Sequence, residues 1–136
     1  MQKILIVDDN AELLNVLQIG FKDAGFQVRI AGSGVEALRY VESFSPDVIV
    51  LDLALPELDG FAVCENLKRN RATASIPILV LTGLSSQLSR FAGLESGADE
   101  YVTKPFNFKV VLSKVKELLE KSRASARKQA GACVSA

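Results

Sequence analysis

Short β-rich runs recur along this chain, most of them without the polar–apolar alternation of a half-solvated strand, and that pattern constrains its fold more than any other feature. The runs are Ile4–Val7, Val28–Ile30, Val48–Leu51 and Ile78–Leu81, with a weaker fifth over Tyr101–Thr103. Apolar strands of this kind are covered on both faces, as in a parallel sheet. The segments between them carry helical periodicity. Leu13, Leu14, Leu17, Phe21 and Ala24 form one stripe, stopped by Gly25. Ser33 followed by Glu36 is a capping box opening a second helix through Leu38 and Val41. Val63, Cys64 and Leu67 mark a third, and Leu88, Phe91 and Ala92, closed by Gly97, a fourth. Phe108, Val111, Leu112, Val115, Leu118 and Leu119 mark a long fifth. Five strands alternating with five helices make an α/β, doubly wound (βα)5 arrangement, with right-handed crossovers placing helices on both faces. Ligands of such sheets bind outside the carboxyl ends of the strands.

Composition removes several chemistries. The 136 residues include no histidine, which excludes a Ser-His-Asp triad, His-ligated zinc, an imidazole base and a phosphohistidine carrier. Cys64 and Cys133 stand 69 positions apart, which is neither metal spacing nor a disulfide framework. Cys64 falls in an apolar helical pattern and reads as a reduced core thiol. The N-terminus is too short in apolar residues for a signal peptide, and no run approaches the ~20 residues that span a bilayer. The expected setting is the cytoplasm.

The residues at the strand ends carry the chemistry. Asp8 and Asp9 follow the first strand, Asp52 the third, Thr82 the fourth and Lys104 the fifth. Three converging carboxylates repel, so they either take up protons or hold a cation. Oxygen ligands without His or Cys favour Mg²⁺, which keeps waters and leaves room for a phosphate. A lysine and a hydroxyl facing that ion suit a transferring phosphoryl group. The central carboxylate, Asp52, is then the nucleophile, forming an acyl phosphate.

These residues sit in ILIVDD at 4–9, AGSGVEAL at 31–38, PDVIVLDLALPELDG at 46–60, PILVLTG at 77–83 and GADEYVTKPF at 97–106. In that order and spacing the chain resembles the receiver domain of two-component response regulators over residues 3–120. The resemblance implies a flavodoxin-like five-stranded sheet of order 2-1-3-4-5 and a single-domain, chemotaxis-type architecture. It implies Asp52 as phosphoacceptor from a histidine kinase or a histidine phosphotransfer protein. Asp9, Asp52 and the backbone carbonyl of Ala54 would bind Mg²⁺ (Mn²⁺ serving in its place), with Asp8 acting directly or through water. Thr82 and Lys104 would contact the phosphoryl group, Tyr101 would turn inward with Thr82 as the switch aromatic, and Lys104-Pro105 would be cis. The surface of the fourth helix, fifth strand and fifth helix would then change its affinity for a downstream protein target. Ala54 and Leu84 stand at two variable positions flanking the site. Neither side chain can orient an attacking water, so slow self-hydrolysis is expected.

Each residue also has a plainer reading. Asp9 or Asn10 could be the N-cap of the first helix, Asp52 could cap a loop, and Thr82 could satisfy strand-end backbone. Lys104 could be a solvated amine and Tyr101 an ordinary edge-strand aromatic. Gly32-Ser33-Gly34 lacks a phosphate-loop pattern and reads as turn and cap. Lys68, Arg69 and Arg71 read as cations favouring the end of the third helix. Two competing functions are a dehalogenase-type phosphatase and a receiver that only binds proteins, and service as a phosphorelay intermediate is an alternative output of the switch itself. The first places a second aspartate where this chain has Ala54, and the second requires a lost site residue, of which there is none.

Residues 1–120 hold 12 basic and 16 acidic residues, whereas the 16 residues from Lys121 carry four positive charges and no acid. Residues 121–136 are therefore expected to be a solvated, disordered basic tail after the 1–120 domain. They are too few to bury a core, so no DNA-binding domain is expected.

Overall fold

Five parallel strands hydrogen-bond in the order β2-β1-β3-β4-β5. They are β1 (Lys3–Val7), β2 (Gln27–Ala31), β3 (Val48–Asp52), β4 (Ile78–Thr82) and β5 (Glu100–Thr103). In this computed structural model the described residues are 1–53, 55, 58, 60–83 and 97–135, the last twelve as backbone only. The helices among them are α1 (Ala11–Asp23), α2 (Gly34–Phe44), α3 (Gly60–Arg69) and the C-terminal α4 (Phe108–Ser135). The helical segment expected around Leu88–Ala92 lies outside the described residues. The doubly wound fold and its strand order are as the sequence led us to expect.

Alternation along the strands divides the core in two. Ile4, Ile6, Val48, Val50, Leu79 and Leu81 face α1 and α4, where Leu14, Leu17, Phe21, Val111 and Val115 cover them. Leu5, Val7, Ile49, Leu51, Ile78 and Val80 face α2 and α3, meeting Ala37, Val41, Val63, Cys64 and Leu67. Both faces of β1, β3 and β4 are thus covered, which is why those strands are apolar at successive positions. Edge strand β2 differs: its outer positions alternate between exposed and half-buried. Its Arg29 lies over the rings of Tyr40 and Phe44, 5.0 and 5.1 Å from the centroids, so its stem and cation rest on apolar surface.

Local signals set the helix ends. Asn10 caps α1, its side-chain oxygen accepting from the N–H groups of Glu12 at 3.0 Å and Leu13 at 3.2 Å. Ser33 caps α2 through Glu36 N–H at 3.2 Å, while Glu36 reaches back to Gly32 N–H at 3.0 Å. Gly25 follows α1 at φ 95°, a left-handed value open to glycine.

The C-terminal segment departs from expectation. Its backbone continues α4 to Ser135 instead of leaving as coil after Glu120. The residues from Lys121 are mostly Ala, Lys, Arg, Gln and Ser, with no proline and one glycine. Such residues propagate a helix already nucleated, since each adds a hydrogen bond without a new nucleation cost. Charge and low hydrophobicity argue against a core of their own, but not against helical backbone.

Candidate functional site

The carboxyl ends of the three central strands meet at the crevice where strand order reverses from β1 toward β2 and β3. Asp8 follows β1 and remains tied to the ladder, its N–H donating to Ala31 O at 3.1 Å. Its side chain is fully buried. One of its oxygens, Oδ1, accepts from Asn10 N–H at 2.9 Å, which fixes the carboxylate against the turn into α1. Asp9 is exposed. Because Asn10 supplies the cap, Asp9 is left out of the capping bonds of α1.

Asp52 is the last residue of β3 and is only 3% exposed. Thr82 holds the equivalent end of β4 and is buried beside it. Lys104 follows β5; its N–H donates to Thr82 O at 2.7 Å, bringing its side chain over the neighbouring strand ends. The ammonium reaches Asp8 Oδ2 at 3.1 Å and Asp52 Oδ2 at 3.5 Å. The Lys104-Pro105 peptide is cis. Tyr101 pairs opposite Val80 in β5 and packs half-buried against the α2–α3 side of the sheet. Ala54 and Leu84, expected to flank the site, lie outside the described residues.

Asp8, Asp9 and Asp52 each offer an oxygen within 4.8 Å of the others. Two of these carboxylates are buried, where an unpaired charge is costly. One ammonium leaves a formal excess of two negative charges when all three acids are ionised. The donor set is oxygen alone, and an octahedral Mg²⁺ shell at ~2.0–2.1 Å spans about 4 Å between opposite ligands, so the cluster fits a small, hard divalent ion after slight closure.

Two residues were under-read in the sequence. Gly60 packs so closely beneath the site that a Cβ there would strike the carbonyl oxygen of Asp52 and lie 2.6 Å from Leu53 Cα. Its sequence signal is the Asp-Gly pair at 59–60, at the entry to α3. Lys68 is more than a helix-end cation. Its ammonium donates to Ala74 O at 3.2 Å, Ile76 O at 3.0 Å and Asp99 at 3.0 Å, and Asp99 also accepts from Ile78 N–H at 2.8 Å. That network ties α3 to the opposite, amino-terminal ends of β4 and β5. No local pattern announces partners 31 residues away.

A doubly wound sheet with an acidic crevice and a lysine reaching into it from the end of edge strand β5 defines a receiver-type domain. The family model described as the response regulator receiver domain matches residues 4–116, and the chain belongs to that family. It is 42% identical over 125 residues to the alkaline phosphatase synthesis transcriptional regulatory protein PhoP of Bacillus subtilis, covering 92% of this chain and 51% of that protein. It is 40% identical over 122 residues to the DNA-binding dual master transcriptional regulator RpaA of Synechocystis, covering 90% and 51%. Among solved structures, a putative response regulator from Chloroflexus aurantiacus superposes with a TM-score of 0.84 at 35% identity, covering 88% of this chain and 98% of that one.

The chain therefore spans about half the length of the curated relatives it matches. This corrects the expectation about partners, in which no DNA-binding domain entered and output ran through a protein target alone. Relatives as similar as RpaA carry DNA binding in their names. The physical reason for the miss is simple: a receiver buries its core by itself, so its residues carry no imprint of an effector domain. Among the described residues, no helix is long and apolar enough to cross a membrane.

Proposed function

We propose that this receiver is a phosphorylation switch with Asp52 as its acceptor. The observation that supports this best is a carboxylate 3% exposed at the central strand end, with two further carboxylates and the Lys104 ammonium around it. In the reaction, an Asp52 carboxylate oxygen attacks the phosphorus of a phosphohistidine on a histidine kinase or phosphotransfer protein. The P–N bond breaks, the imidazole leaves and takes up a proton, and an acyl phosphate remains on Asp52. Mg²⁺ (Mn²⁺ serving in its place), held by Asp8, Asp9, Asp52 and the Ala54 carbonyl, would supply positive charge to the phosphoryl oxygens. Lys104 is positioned to reach the same oxygens once its bonds to carboxylates loosen, and Thr82 lies at the adjacent strand end to donate its hydroxyl.

The added ~1.5–2 negative charges then bias the site toward an arrangement in which Thr82 and Tyr101 turn inward. The face of β5, the C-terminal helix and the segment before β5 would carry that change to a partner. Each chain takes one phosphoryl group per cycle, which is acceptor chemistry and not turnover of a substrate. Incubation with Mg²⁺ and a small acyl phosphate should add the mass of one phosphate, and Asp52→Asn should abolish the adduct. An unmodified wild-type chain under those conditions would overturn the reading. The names of PhoP and RpaA favour transcriptional control as the pathway output. Recovery of specific DNA with the native protein would support that output, and recovery without DNA would refute it.

A further inference from the structure

Charge divides this molecule in a way that phosphoryl transfer does not use. Helix α4 (Phe108–Ser135) holds seven basic and two acidic residues, net +5, whereas the 107 residues before it hold nine basic and fourteen acidic, net −5. Where α4 packs on the domain its cations meet acids: Lys114 lies 3.6 Å from Glu100 and 3.9 Å from Glu117. After Glu120 the acids stop, and Lys121, Arg123, Arg127 and Lys128 follow within eight residues. Lys121 and Arg123 are exposed, and Leu119 is the last described side chain that the core buries. Residues seven apart fall on nearly the same side of a helix, since two turns take about 7.2 residues. Lys109, Lys116 and Arg123 thus make one row of cations, and Lys114, Lys121 and Lys128 a second, about 140° round the axis.

We propose that α4 beyond Glu120 is a contact arm for duplex DNA, held through backbone phosphates without reading bases. A helix about 10–12 Å across with a cation row on each flank suits a major groove about 12 Å wide, whose two phosphate rails then face the two rows. An anionic membrane fits worse: from Lys121 onward Val134 is the only large apolar residue, so the arm lacks a face to bury among headgroups. A protein partner fits worse too, because no aromatic residue follows Phe108 to serve as a buried anchor. The acidic remainder of the chain repels a duplex, which leaves the arm as the part that approaches it. This role stands apart from acceptor chemistry at Asp52 and does not depend on it.

Fluorescence anisotropy of labelled duplexes of about 20 base pairs tests this with the full chain. Two duplexes of unrelated sequence should bind within about twofold of each other. Raising salt from about 50 to about 100 mM should weaken binding roughly tenfold, the dependence expected of four phosphate contacts. Combining Lys121→Gln, Arg123→Gln, Arg127→Gln and Lys128→Gln should cost about tenfold or more at the lower salt and flatten the salt dependence. That variant should melt within ~2 °C of wild type, because the substitutions lie outside the core. Arg69→Gln with Arg71→Gln, on the far side of the domain, should leave affinity within about twofold. Absence of duplex binding by wild type overturns the proposal, as does undiminished binding by the fourfold variant. A strong preference for one duplex would place recognition in base contacts and overturn it as well. Equal or tighter capture by phosphatidylglycerol vesicles or by polyglutamate would assign the arm to a membrane or to an acidic protein instead.

Discussion

At Asp52, opposing electrostatic effects can be weighed one by one. Repulsion from buried Asp8 across at most 4.8 Å is at least about 3.5 kcal/mol at an effective dielectric of ~20. Exposed Asp9 adds a screened fraction of that. Attraction to Lys104 at 3.5 Å is about 5 kcal/mol on the same scale, so the Coulomb contributions nearly cancel. Desolvation decides the sign, because a carboxylate only 3% exposed gives up hydration worth several kcal/mol that a neutral amide never had. Asp52→Asn should therefore stabilise the metal-free protein by ~1–2 kcal/mol, while Lys104 keeps its bond to Asp8. Urea denaturation in the presence of a chelator measures this directly. A lower midpoint for the variant would mean that the Asp52–Lys104 attraction outweighs crowding and burial together.

At the scale of elements, each strand end must be held where its side chain can act, and the entry to α3 does this for Asp52. Gly60 N–H donates to Leu53 O at 3.1 Å, closing the turn out of β3 back onto itself. The Cβ of an alanine at 60 would meet backbone of Asp52 and Leu53, which cannot swing aside as the end of a side chain can. Gly60→Ala should cost ~1–3 kcal/mol, the usual range for overpacking against atoms that cannot yield. The same shift would move the Asp52 carboxylate relative to Asp8, so phosphoryl incorporation should slow along with the loss of stability. Stability lost with an unaltered incorporation rate would show that α3 entry supports the fold without positioning the acceptor. Elements also mark where sequence was informative. The Ser33–Glu36 box and Gly25 announced their helix ends because those bonds are local. The choice between Asp9 and Asn10 as cap was open, since either side chain can accept from the first turn; the backbone direction at Asn10 settles it.

For the whole molecule, the fold was legible because three central strands buried on both faces leave a period-free apolar record, and a doubly wound sheet is the arrangement that covers them. The candidate site was legible for the same reason: once strand ends are located, Asp8, Asp9, Asp52, Thr82 and Lys104 must gather at one edge. What escaped reading is what depends on distant chain or on no core at all, such as the Lys68 network and the path of the chain after Glu120. The last buried residue of α4 among those with described side chains is Leu119, yet the helix runs on to Ser135. Twelve residues after Arg123 extend it by about 18 Å at ~1.5 Å per residue. Such an extension draws its helicity from the packed turns before it, because an isolated segment of that length would be marginal in water. Deleting residues 124–136 should therefore lower the helical circular-dichroism signal by roughly twelve residues' worth. The melting temperature should move by less than ~2 °C, because none of the described side chains beyond Leu119 is buried. An unchanged helical signal would mean that the segment is coil in solution, and a large drop in melting temperature would mean that it packs on the domain.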